Sequence, residues 1–237
     1  MSSASSASSA PSRGLAVPIL CAVAAIGFVV SLWLAFVVAP PALDLFFNQK
    51  IFYFHVAHAF MLFTAVGVAG VCGILYLKTR KPHWDDISSA ATEVAVAFGA
   101  VVLITGSFWA RAAWDKWWNW EPRLTMSLLL WLVLVGCVLI RRFAGPSADR
   151  IAAGMALFGM VGVPFIYFMV GQDQHPNSGA NGVAATLDPA MRGAFWCAVG
   201  TFLVWFVALL LMRLGDTRAE REVRELRERA LDLGVIE

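Results

Sequence analysis

Residues 51–77 read I-F-Y-F-H-V-A-H-A-F-M-L-F-T-A-V-G-V-A-G-V-C-G-I-L-Y-L. No Asp, Glu, Lys or Arg interrupts them, and two histidines, His55 and His58, stand near the start. A hydrocarbon core about 30 Å thick is crossed by roughly 20 apolar residues in a helix. Lipid offers no partner for a backbone N–H or C=O, so a run of this kind must be helical. Working outward, similar runs are read at 15–38, 88–110, 124–140, 150–171 and 190–212. Alternating strand-length segments, the mark of an outer-membrane barrel, are absent from the sequence. The expected fold is therefore all-α: a polytopic membrane protein with six transmembrane helices.

Composition agrees. Of 237 residues, 59% are hydrophobic and only 14% charged, against about 45–50% and 25% in a soluble domain. Mean hydropathy is +0.71. These values exclude a soluble globular domain and a disordered chain. A net charge of +2 leaves no basic surface to hold phosphates, so nucleic acid is excluded as a partner; the lipids of the bilayer are the surroundings expected for the spans. Cys21, Cys72, Cys137 and Cys197 all lie in apolar runs and form no C-x-x-C or C-x-x-C-H pattern. That argues against a thiol reductant, a zinc ribbon and covalently attached haem; the cysteines read as small apolar filler.

Three segments follow: a low-complexity tail over 1–14, expected to be disordered, a membrane domain over 15–212, and a charged stretch over 213–237. The first apolar run is too long for a cleaved signal peptide and is read as a retained helix. Lys and Arg set the orientation. With the N-terminus inside, the inner segments carry thirteen basic residues and the outer segments five. Both termini are thus expected in the cytoplasm, with 39–50, 111–123 and 171–190 on the outer side. In the tail, Glu220/Arg224 and Glu225/Arg229 have the favourable i,i+4 order, which predicts a cytoplasmic C-terminal helix, either solvated on most faces or docked to a partner.

Five of ten tryptophans fall between 109 and 120: Trp109, Trp114, Trp117, Trp118 and Trp120. On a helical wheel Trp114, Trp117 and Trp118 share a face with Trp120 beside them, while Asp115, Lys116 and Asn119 take the opposite arc. That pattern predicts a short amphipathic helix lying on the outer surface, with Pro122 opening the next span. An interfacial aromatic belt would spread its tryptophans over every helix end; this crowding favours a flat platform for a flat, amphipathic ligand.

His83 sits in an inner loop and reads as solvated. His55, near the outer end of the second span, and His175, in the outer stretch G-Q-D-Q-H-P-N-S-G, reach the level of the tryptophans. An ionisable residue in a spanning helix is a functional candidate, and neutral imidazole is a good iron ligand. Two imidazoles flanking an aromatic platform suit a six-coordinate haem. His58, one turn deeper, ranks second to His55 and could ligate, hydrogen-bond or pack.

Residues 105–127, T-G-S-F-W-A-R-A-A-W-D-K-W-W-N-W-E-P-R-L-T-M-S, resemble the tryptophan-rich signature of the haem-handling proteins of cytochrome c maturation. With the six-span plan and the length, residues 15–212 are similar to the cytochrome c maturation protein C, or haem exporter C, family. Two positions depart from its pattern: Glu121 stands where the family has Asp, and Asp115 where it often has Gly. The resemblance implies a protein of the bacterial inner membrane that binds haem b at the periplasmic face. It implies delivery of that haem to a periplasmic haem chaperone, cytochrome c maturation protein E, in a lyase-like transfer. It implies an ATP-binding cassette complex and a small one-span protein as further partners. By resemblance His55 and His175 are the axial ligands, Trp114, Trp117, Trp118 and Trp120 enclose the porphyrin, and Arg123 pairs with propionates, its guanidinium fork well shaped for carboxylates. Arg111 or Lys116 could share that role, and Glu121 would orient Arg123 or its loop. The porphyrin brings the reactive vinyl and the protein binding and orientation.

Two other classes compete. A quinone-linked b-type cytochrome subunit would want paired histidines inside the bilayer, and the third to sixth spans hold none. A small-solute transporter would want broken helices and charge at mid-membrane, whereas Glu93 lies near the inner end of its span.

Overall fold

The computed structural model describes residues 15–41, 46–145, 148–168 and 187–235. The tail 1–14 and most of the stretch 171–190 lie outside them. Among the described residues six helices follow in order. Helix α1 (Ala16–Trp33) runs into a π turn, Leu34–Val38; a 3₁₀ turn, Phe47–Gln49, leads into α2 (Lys50–Thr79). Then come α3 (Pro82–Trp114), α4 (Pro122–Phe143), α5 (Ala148–Phe168) and α6 (Pro189–Asp232). All six are long and apolar enough to cross a membrane.

The helix ends obey local rules. Pro82, Pro122 and Pro189 each occupy the first helical turn, where a missing N–H costs nothing. Helix α2 stops at Arg80, in the left-handed conformation with φ 57°. With Lys81 it forms a two-residue link that turns α3 back along α2. Asp188 caps α6, its Oδ1 accepting from the Ala190 N–H at 2.8 Å.

Helix α2 is the centre, packed against α3, α5 and α6. Tyr53, Ala57, Met61, Leu62, Ala65, Val66 and Ala69 are buried along it. In lipid there is no water to expel between helices, so small residues and close backbones do the packing. At Gly73 an added Cβ would stand 3.0 Å from the Ala153 carbonyl oxygen on α5, and at Gly70 it would strike Met160. Helix α4 locks to α3 through Trp131, whose indole N–H donates to the Val96 carbonyl at 3.0 Å. Helix α1 leans on α6, where the hydroxyls of Ser31 and Thr201 meet at 3.1 Å.

One expectation is corrected and one is extended. No helix forms over 115–121. Asp115 closes α3 in the left-handed conformation with φ 58°, and Arg111 binds both its carboxylate and, at 2.7 Å, its carbonyl. At the other end Glu121, preceding Pro122, is held extended. The left-handed Asp115 and the extended Glu121 break the helix at both ends of the loop, and the residues between them adopt no helical turn. The C-terminal helix is solvated on most faces, as expected, with 222–229 and 231–235 exposed, but it is not separate from the bundle. It continues the last span without a break and fastens to the start of α3: Arg221 Nε donates to Asp86 at 2.8 Å and Arg213 grips Glu93. Arg141 of α4 joins the same cluster through Asp85 at 2.7 Å.

Candidate functional site

The antiparallel run of α2 to α5 brings four helix ends together: the start of α2, the end of α3, the start of α4 and the end of α5. Between them lies a cleft of about 1370 Å³, its open mouth included. Its walls are mainly apolar: Phe52, Phe60 and Phe63 of α2, Val102 and Leu103 of α3, Leu124 of α4 and Ile166 of α5. Four groups from the sequence reading line it: His55, Trp114, Trp118 and Arg123. Trp109, a member of the tryptophan cluster given no site role, also lines it, together with Gln49, Ser127 and Tyr167, which the sequence does not mark.

His55 projects from the second turn of α2 toward α3. Its Nδ1 is 2.9 Å from the Thr105 hydroxyl, and Gly106 gives the ring space, since a Cβ there would sit 3.2 Å from Cε1. His58 has a different environment. Its Nδ1 donates to the Phe54 carbonyl at 2.8 Å, and its ring packs 4.1 Å from Phe202 and 5.5 Å from Phe98, centroid to centroid. It is not among the residues lining the cleft. His83 is exposed in the first turn of α3 beside Trp84. His175 lies outside the described residues. Among those described, no three metal-ligating side chains are gathered.

The tryptophans divide in two. Trp109 and Trp114 meet edge to face at the end of α3, centroids 5.0 Å apart, and both face the cleft with Trp118. The indole N–H of Trp118 is buried with no hydrogen-bond partner among the described residues, as is the Gln49 side-chain oxygen. Trp117 and Trp120 are 58% and 75% exposed. Trp117 packs edge to face on Phe108, and Trp120 on Trp118. The loop thus shows one aromatic group to the cleft and another to its surroundings, which a single wheel face would not do. Trp109 belongs to the tryptophan cluster of the sequence but not to its platform face; the structure turns it to the cleft beside Trp114.

Arg123, in the first turn of α4, faces the cleft, whereas Arg111 is turned to Asp115. Glu121 is buried at 4% exposure just before α4. Burial raises its carboxyl above the ordinary range, and the nearby positive charge of Arg123 works against that rise.

These features define a class: a polytopic helical membrane protein with an apolar cleft at one end, furnished with one imidazole, three indoles and one guanidinium. The family model described as Heme exporter protein C matches residues 1–229, and the chain belongs to that family. It is 31% identical over 182 residues to Heme exporter protein C of Bradyrhizobium diazoefficiens, covering 75% of this chain and 69% of the relative. Against Heme exporter protein C of Escherichia coli K12 the figures are 28% over 176 residues, 70% and 69%. A putative cytochrome c biosynthesis ccmC-like mitochondrial protein of Marchantia polymorpha is 30% identical over 140 residues, 59% of this chain and 60% of the relative.

The cleft's donor set fits a flat amphipathic ring that bears a metal and carboxylates. Imidazole suits iron, indoles suit a π-face, and the guanidinium of Arg123 with the unpartnered indole N–H of Trp118 suits carboxylate oxygens.

Proposed function

We propose that the chain binds haem b at the periplasmic face of the bacterial inner membrane and delivers it to a haem chaperone during cytochrome c maturation. His55 supplies one axial nitrogen and His175 the other. Trp109, Trp114 and Trp118 enclose the ring, and Arg123 holds a propionate with help from the Trp118 N–H. Glu121 balances the charge of Arg123. Trp117 and Trp120 give the incoming chaperone, cytochrome c maturation protein E, an aromatic surface. An ATP-binding cassette complex and a small one-span protein assist, and both termini lie in the cytoplasm.

The observation that carries this reading is the placing of His55 in one apolar cleft with three indoles and a guanidinium. The protein contributes binding and orientation: apolar walls exclude water, the imidazole holds the metal, and the guanidinium fixes which edge faces outward. The test is transfer. The purified full-length protein is expected to show the absorbance bands of a b-type haem and to lose them when mixed with the chaperone's soluble domain, which gains them. A protein that takes up no haem, or keeps all of it beside an active chaperone, would overturn the reading.

A further inference from the structure

The hydroxyl of Thr105 has three acceptor-capable atoms within reach, the farthest being the Val102 carbonyl oxygen at 3.4 Å. It lies 2.7 Å from the Val101 carbonyl oxygen, one turn back on α3, and 2.9 Å from His55 Nδ1 on α2. A carbonyl oxygen can only accept, and a hydroxyl has a single hydrogen to give. A helical threonine gives it to the carbonyl four residues earlier. With its hydrogen given to Val101, the oxygen is free to accept from the ring, and Nδ1 is then the nitrogen that carries the imidazole proton. A neutral imidazole has one N–H, which leaves the lone pair on Nε2. Gly106 adds a steric constraint: a Cβ there would stand 3.2 Å from Cε1, close enough that the ring would have to give by a few tenths of an ångström. Thr105 and Gly106 are consecutive, so one turn of α3 sets both the proton and the tilt of His55.

We infer that Thr105 is a positioning residue which fixes His55 as the Nδ1–H tautomer and presents Nε2 as its ligating nitrogen. The consequence for haem rests on the function proposed above; the tautomer itself is a property of the chain alone. Metal-ligating histidines are commonly oriented through the second ring nitrogen, often by a carboxylate that also raises ligand basicity. Here the acceptor is a neutral hydroxyl already committed to a carbonyl. It orients the ring while adding little electron density to it, which suits a ligand that must let go of its cargo.

The test uses the full-length protein in detergent, haem-free, with ¹⁵N-labelled histidine. Ring nitrogen signals lost in His55→Ala identify His55. Wild type and Thr105→Ser are expected to show Nδ1 protonated, and Thr105→Val to show the proton shifted to Nε2 or shared. Haem titration supplies the second readout: Thr105→Val is expected to weaken binding roughly 10–100-fold, the usual effect of removing such a partner, and Thr105→Ser to restore it. Nε2–H in the wild type overturns the inference without reference to any variant, and so does Thr105→Val keeping the Nδ1–H form. Equal haem loss in the Ser and Val variants overturns the positioning role. If the expected tautomers appear but even wild type binds no haem, the tautomer assignment stands and the proposed function falls.

Discussion

Arg213 on α6 holds Glu93 on α3 with two nitrogens, Nε at 2.6 Å and Nη2 at 2.9 Å from the two carboxylate oxygens. The pair lies where the last span becomes the C-terminal tail, and it ties that transition to the central helices. Beyond it Arg213 also reaches Glu220, and Arg221 reaches Asp85 and Asp86. The tail helix is thereby a strut of the bundle rather than a loose extension.

Asp85 is the deepest member, its side chain 5% exposed and shared between Arg141 and Arg221. Asp85→Ala would leave Arg141, 11% exposed, without its close carboxylate. Breaking one partner of a buried pair costs about 3–5 kcal/mol. The variant is expected to unfold at clearly lower temperature in detergent and to expose the tail to protease after Arg218. Glu93→Gln, at a more open position, should shift the midpoint less.

Glu121 gives a pH dependence. Burial lifts its carboxyl above the ordinary value of 4.5, so the folded chain holds a proton that the unfolded chain releases. The stability from that proton is full below the unfolded value and fades as pH rises through the folded one. Thermal midpoints of wild type are expected to fall from pH 4.5 toward neutrality, relative to Glu121→Gln, which lacks the titration. Parallel profiles for the two proteins would contradict this.

The two tryptophan groups should separate by assay. An aromatic contact contributes about 0.5–1.5 kcal/mol beyond area burial, so Trp114→Ala or Trp118→Ala should each weaken haem retention up to about tenfold. Trp117→Ala with Trp120→Ala should leave haem content near wild type and reduce cross-linking to the chaperone. Haem per protein and cross-link yield, measured on the same samples, check both halves. A uniform loss across all four tryptophans would contradict the division.

The six spans were legible because length and hydropathy decide them: a run such as 51–77 has no other fate in lipid. One helix start was legible where proline marks it, at Pro122; the start at Pro82 was not, and the third span was read from 88. The tryptophan loop was not, since the wheel assumed helix past Trp114 and nothing in D-K-W-W-N-W-E announces that Asp115 adopts a positive φ. The tail's docking was hidden for another reason. Its i,i+4 pattern offers Arg224 to Glu220, and only the packing of α6 on α3 brings Arg213 within reach of Glu93. Of the candidate site, His55, Trp114, Trp118 and Arg123 meet at one cleft, as their shared level implied. Thr105 carried no charge or loop context to distinguish it from ordinary span residues, and Trp109 stood in the tryptophan cluster but off its platform face.

The central claim is that His55 is an iron ligand and that His175, outside the described residues, is its partner. The direct measurement is the absorbance spectrum and haem content of purified wild type, His55→Ala, His175→Ala and His58→Ala. A six-coordinate spectrum is expected in wild type, with its loss in each of the first two variants and a milder change at His58, whose ring is packed against Phe202. A wild-type spectrum retained in both His55→Ala and His175→Ala, or haem lost only in His58→Ala, would contradict that claim.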